Sequence, residues 1–124
     1  MDKHIVLIDD DEEEKEIFEA ALKKTKLSCS FTYICNPLDA PALLQKLKPG
    51  LIFIDFKMPV INGIECLIEI KQKKNLRSIP VIMYSSKTDA ILSLALQAGA
   101  VKCITKTTSV KLLAEILQDV ISVY

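Results

Sequence analysis

Leu51, Ile52, Phe53 and Ile54 run without interruption into Asp55, and the turn-forming Pro59, Asn62 and Gly63 follow at once. A continuous apolar run of this length is what a strand buried on both faces looks like. Such a strand needs helices above and below it, which points to a parallel α/β sheet. In open sheets of that class the ligand site lies beyond the carboxyl ends of the strands. Asp55 stands at such an end, so it is the residue to explain.

At 124 residues the chain has the length of one domain and can bury a core without staples. Lysine plus arginine and aspartate plus glutamate both number 16, so no global field steers it toward nucleic acid or an anionic membrane. Cys29, Cys35, Cys66 and Cys103 form no CxxC pair, and His4, the only histidine, stands at no zinc spacing from them. The four read as small core residues of a reducing compartment. No leader pattern and no apolar run of about 18 residues is visible, so a soluble cytoplasmic protein is the expectation.

Apolar runs and helical spacing alternate along the rest of the chain. Residues 4–8 predict a buried first strand ending at Asp9 and Asp10. Residues 9–14 are consecutive acids, which alone would suggest a solvated tail. Behind them, however, Ile17, Phe18, Ala21 and Leu22 recur at helical spacing. Acids suit the first turn of a helix, so the run is a loop entering one. Residues 28–35 predict a second strand. Asn36 caps the next helix, Pro41 fits its first turn, Leu43, Leu44 and Leu47 supply its buried side, and Pro49 and Gly50 end it. Ile64, Leu67, Ile68 and Lys71 fit a third helix, and residues 79–84 a fourth strand. Thr88 or Asp89 caps a fourth helix running to Ala98, and Gly99 stops it. Residues 101–105 and 110–123 complete the pattern as strand and helix. Five βα repeats with right-handed crossovers give a parallel sheet with helices on both faces.

Parallel strands carry their ends to one edge. Asp9 and Asp10, Asp55, Ser85 and Lys106 therefore converge from four strands. Carboxylates about 4 Å apart repel by roughly 1 to 4 kcal/mol per pair, and a hard divalent cation removes that penalty. All-oxygen donors favour magnesium, manganese or calcium over zinc, and magnesium, which keeps its waters, needs fewest protein ligands. With Lys106 and the Ser85 hydroxyl alongside, the set suits a phosphoryl group's oxygens. Asp55 can then act as the nucleophile.

Leu7-Ile8-Asp9-Asp10, Asp55-x-x-Met58-Pro59-x-x-x-Gly63, Pro80-Val81-Ile82-Met83-Tyr84-Ser85 and Lys106 together resemble the receiver domain of bacterial two-component response regulators. This is the family of the chemotaxis regulator, and the resemblance runs over the full chain. It implies a flavodoxin-like sandwich with strand order 2-1-3-4-5, residues 1–124 forming one receiver domain without an output domain. It implies that Asp55 accepts a phosphoryl group from a sensor histidine kinase or a His-phosphotransfer protein, without turnover of an external substrate. Asp10, Asp55 and the backbone carbonyl of Lys57 would hold magnesium, with Asp9 acting through water. Ser85 would be the switch hydroxyl, Lys106 the phosphate-binding lysine, and a downstream effector protein would read the result.

The chain departs from that pattern in three places. Thr107 replaces the usual proline after the lysine; a cis bond before a non-proline residue costs about 2.5 to 4 kcal/mol, so a trans Lys106–Thr107 peptide is expected. Cys103 stands where the switching aromatic residue is usual. Lys57 and Lys87, two residues past Asp55 and Ser85, either set the lifetime of the phosphoryl group or are solvated loop lysines. The last two helices also carry surplus apolar residues. Ile91, Leu94, Ala95 and Ala98 form one side of the fourth helix, and Val110, Leu113, Leu117 and Val120 the inward side of the fifth. That leaves Leu92, Leu96, Leu112, Ile116 and Val123 as a patch for a homodimer or an effector, or as scattered surface residues. Two other readings compete with a receiver. A phosphatase with an aspartyl nucleophile would need a second acid where Lys57 stands, and a phosphorylation-independent interaction module would have no use for the intact site.

Overall fold

The computed structural model describes residues 2–124. Strands β1 (Lys3–Ile8), β2 (Cys29–Ile34), β3 (Leu51–Ile54), β4 (Val81–Ser85) and β5 (Lys102–Thr105) form one parallel sheet in the order β2-β1-β3-β4-β5. Helices α1 (Glu12–Lys24), α2 (Ala40–Leu47), α3 (Gly63–Lys71), α4 (Leu92–Ala98) and α5 (Val110–Val123) connect and close it. The strand order reverses between β1 and β3, the position at which open α/β sheets place their crevice.

Alternate side chains of each strand serve opposite faces. Ile5, Leu7, Phe53 and Tyr84 pack under α1 and α5, while Val6, Ile8, Ile52, Ile54 and Met83 pack under α2, α3 and α4. Every residue of β3 is fully buried, as its apolar run requires. Phe18 of α1 meets Phe53 edge-on at 4.9 Å and Tyr84 edge-on at 5.7 Å, both favourable aromatic geometries.

The acidic run enters α1 as expected. Asp11 caps the helix, its carboxylate accepting the Glu13 N–H at 2.9 Å, and Glu12, Glu13 and Glu14 occupy the first turn. Asn36 also caps, but it caps a 3-10 turn (Pro37–Asp39) that leads into α2. Asn62 and Glu65 form a reciprocal capping box on α3, each side chain accepting the other's N–H at 2.9 Å. Gly99 closes α4 with φ 113°, a backbone state glycine adopts without strain.

Several expectations are corrected. Helix α4 begins at Leu92 without a side-chain cap; the Thr88 hydroxyl instead bonds that of Thr105 at 3.0 Å, tying the loop to β5. Leu94 is 57% exposed, because Ile91, Ala95 and Ala98 form a narrow stripe that leaves it at the edge, beside Ile64 and Ile68 of α3. Leu43 and Ile68 are exposed too; Ala40, Leu44, Leu67 and Ile70 do the burying. Ile116 is half-buried against the core, whereas Leu92, Leu96, Leu112 and Val123 are exposed. Of the cysteines only Cys66 is fully buried, and burial pushes its thiol up to about 12; Cys35 is exposed. The Lys106–Thr107 peptide is trans. Among the described residues no helix is long and apolar enough to cross a membrane.

Candidate functional site

Ladder hydrogen bonds continue past the strand ends and fix the residues beyond them. The Asp9 N–H donates to Ile34 C=O at 3.1 Å, the Asp55 N–H to Ile8 C=O at 2.9 Å, and the Lys106 N–H to Ser85 C=O at 2.9 Å. One edge of the sheet thereby gathers a carboxylate from β1, a carboxylate from β3 and an ammonium from β5. Lys106 Nζ bridges the two acids, 2.9 Å from Asp9 Oδ2 and 3.1 Å from Asp55 Oδ1.

The electrostatics follow from depth. Asp9 is fully buried and both its oxygens are engaged, Oδ1 by the Asp11 N–H at 3.0 Å and Oδ2 by Lys106. Burial raises its pKa against the pull of Lys106. Asp55, 5% exposed, is pushed up to about 6 by burial and then by the charge of Asp9, with Lys106 opposing. Burial alone would lower Lys106, but its hydrogen bond and charge pairing with Asp9, then Asp55, raise it. Asp10, on the same edge, is exposed. Asp9, Asp10 and Asp55 each offer an oxygen within 4.8 Å of the others.

The loop after Asp55 is tightly wound. The Gly63 N–H donates to Phe56 C=O at 2.7 Å, and a Cβ at Gly63 would strike the Asp55 carbonyl and come within 2.8 Å of Met83 Cε. Pro59 C=O accepts from the Ile61 N–H at 2.9 Å around Val60, whose φ is 73°. This is a γ-turn of the strained hand, here on a β-branched residue that is 82% exposed.

The strand ends open into a cleft of about 670 Å³ lined by Asp9, Asp10, Asp55, Lys57, Ser86 and Lys106, with Asp11, Glu14, Met58 and Pro59 completing its wall. A model of the response regulator receiver domain matches residues 5–118. The chain belongs to that family. Response regulator Rcp1 of Synechocystis is 29% identical over 95% of this chain and 86% of its own length. The receiver domain of Thermotoga maritima CheB superposes with a TM-score of 0.85 at 27% identity, covering 98% of this chain and 95% of that one. The manganese-bound form of Rcp1 superposes at 0.78 with 26% identity over 97% and 92% of the two chains. The chain spans about a third of the length of the protein-glutamate methylesterases it matches, 34% for one from Caulobacter vibrioides.

In this receiver domain the sequence-predicted residues fall unevenly around the cleft. Asp9, Asp10, Asp55 and Lys106 come together. Ser85 lies at the end of β4 but is only 4% exposed, its hydroxyl 3.5 Å from the Lys87 N–H; Ser86 is the serine on the cleft wall. Lys57 borders the cleft, whereas Lys87 lines a neighbouring groove with Thr88, Asp89 and Thr105. Cys103 packs, half-buried, against the core on the α3 and α4 side. Two residues escape sequence reasoning. Glu14 turns back from the first turn of α1 into the wall, and burial raises its pKa. Tyr84 lies under Lys106, whose Nζ is 5.4 Å from the ring centroid.

Proposed function

We infer that Asp55 is the phosphoacceptor of this receiver domain, taking a phosphoryl group from a phosphohistidine on a sensor kinase or a His-phosphotransfer protein. One observation carries this reading: a half-buried lysine bridging the buried Asp9 and Asp55 beside an exposed third acid, at the edge where strand order reverses. An Asp55 carboxylate oxygen attacks phosphorus, the phosphorus–nitrogen bond breaks, and the imidazole leaves with a proton. Lys106 is placed to neutralise the phosphoryl oxygens as that transfer proceeds. Asp55 must be ionised to attack, and a value of about 6 leaves it mostly so at neutral pH.

The donor set fits a hard divalent cation. Its members are oxygens, and both Asp9 oxygens are already taken, which suits contact through water rather than direct ligation. Asp10, Asp55 and the Lys57 carbonyl would hold magnesium directly. When bound, the ion supplies charge neutralisation for the phosphoryl group. Lys57, on the cleft wall, is positioned to alter how long phospho-Asp55 survives. The domain turns over no external substrate in this reading, and the exposed Leu92, Leu96 and Leu112 offer a face to an effector or a second copy.

The test is incorporation of phosphate from acetyl phosphate with magnesium, read by phosphate-affinity electrophoresis, in wild type and Asp55→Ala. Magnesium-dependent labelling lost in the variant supports the assignment. Equal labelling in both proteins sinks it, and steady release of product from a phosphate ester would make the protein a phosphatase.

A further inference from the structure

Lys106 reaches its two carboxylates across the face of an aromatic ring. Its Nζ lies 5.4 Å from the Tyr84 centroid, inside the roughly 6 Å at which a ring face attracts a cation. Tyr84 is fully buried and precedes Ser85 on β4. Phe18 meets the ring edge-on at 5.7 Å and is itself held by Phe53 at 4.9 Å, so the ring is fixed in place. The hydroxyl takes no part in this arrangement. It is buried without a hydrogen-bond partner, the Thr107 amide approaching without reaching bonding geometry. Phenylalanine would fill the same space without leaving a buried oxygen unpaired. The ring, not the phenol, is therefore the part of Tyr84 that acts on Lys106.

We propose that Tyr84 is a positioning residue for Lys106, its ring face holding the ammonium in place when a divalent cation draws on the carboxylates. The proposal rests on the phosphoacceptor reading above. Asp9 and Asp55 hold Lys106 in this structure, and they are also the acids on which a bound cation would draw. An attraction shared with a second cation weakens for the first. The quadrupole of a ring buried on the α1 and α5 side of the sheet is not shared in this way. Tyr84 thus matters most when the site is loaded, where the lysine must meet the phosphoryl oxygens.

The experiment measures beryllofluoride affinity at saturating magnesium, with melting temperatures recorded alongside. It compares wild type, Tyr84→Phe, Tyr84→Met and a protein in which Tyr84 is replaced by trifluorophenylalanine. The fluorinated ring keeps the shape of phenylalanine but loses most of its negative face. Tyr84→Phe should stay within about two-fold of wild type, while the fluorinated protein and Tyr84→Met lose about three- to ten-fold. Unchanged affinity with the fluorinated ring overturns the proposal. So does an equal loss in Tyr84→Phe, or a loss that also appears in magnesium binding without beryllofluoride. Wild type that fails to bind beryllofluoride, or binds it no better than Asp55→Ala, refutes the underlying phosphoacceptor reading instead.

Discussion

Asp55→Asn should stabilise the metal-free protein, and the size of the effect can be worked from its surroundings. Asp55 is pushed from 3.8 to about 6, chiefly by burial and then by the negative charge of Asp9. At about 1.4 kcal/mol per pH unit, keeping this carboxylate ionised costs the folded state roughly 3 kcal/mol at neutral pH. A group whose folded value is raised contributes stability below its unfolded value, and that stability is lost as pH rises through the folded one. Wild type therefore loses stability between about pH 4 and pH 7 relative to the asparagine variant, which carries no such charge. In EDTA the variant should melt on the order of 10 °C higher at neutral pH, and the gap should close near pH 4. Saturating magnesium should narrow it again, because ligand binding favours the folded wild type. Melting curves followed by circular dichroism across that pH range provide the assay. A variant no more stable than wild type at neutral pH, or a gap indifferent to pH, would refute the reasoning.

Other perturbations test separate parts of the site. Gly63→Ala drives a methyl group into the Asp55 carbonyl and the Met83 side chain, and should destabilise by about 3 kcal/mol or more while abolishing phosphorylation; denaturant unfolding and acetyl phosphate labelling measure both. Val60→Asn relieves a β-branched residue at positive φ and should raise stability by about 0.5 to 1 kcal/mol with labelling unchanged, as urea melts would show. Lys57→Asn should change the decay of phospho-Asp55 by several-fold, whereas Lys87→Glu, which faces another groove, should leave it near wild type in the same chase experiment.

How far the sequence carried this structure can be read at single residues. The run from Leu51 to Ile54 implied a strand covered on both faces, and its complete burial follows from that. Strand ends predicted the meeting of Asp9, Asp10, Asp55 and Lys106 because parallel ladders fix where strands stop. Spacing along one element could not supply side-chain trajectories. Glu14 was hidden among acids; which of them turns into the cleft depends on the angle at which Asp11 lets α1 begin. Tyr84 looked like one more apolar strand residue, since nothing local says that a lysine from β5 crosses its ring. The adjacent Ser85 and Ser86 show the same limit, because a single step along the chain exchanges a buried hydroxyl for one on the cleft wall. On α4, Leu94 falls at the margin of a stripe narrowed by two alanines, a distinction that periodicity alone does not make.

The knot of backbone at Gly63 has a consequence for how such a protein diversifies. With Gly63 clamped to Phe56 and pressed on the Asp55 carbonyl, the inner side of the loop admits almost no variation. Val60, on its outer rim, touches little but solvent. Constraint and freedom are thus written on opposite sides of one short loop. A lineage can revise the outer face of that loop while the Asp55 carboxylate stays where it is.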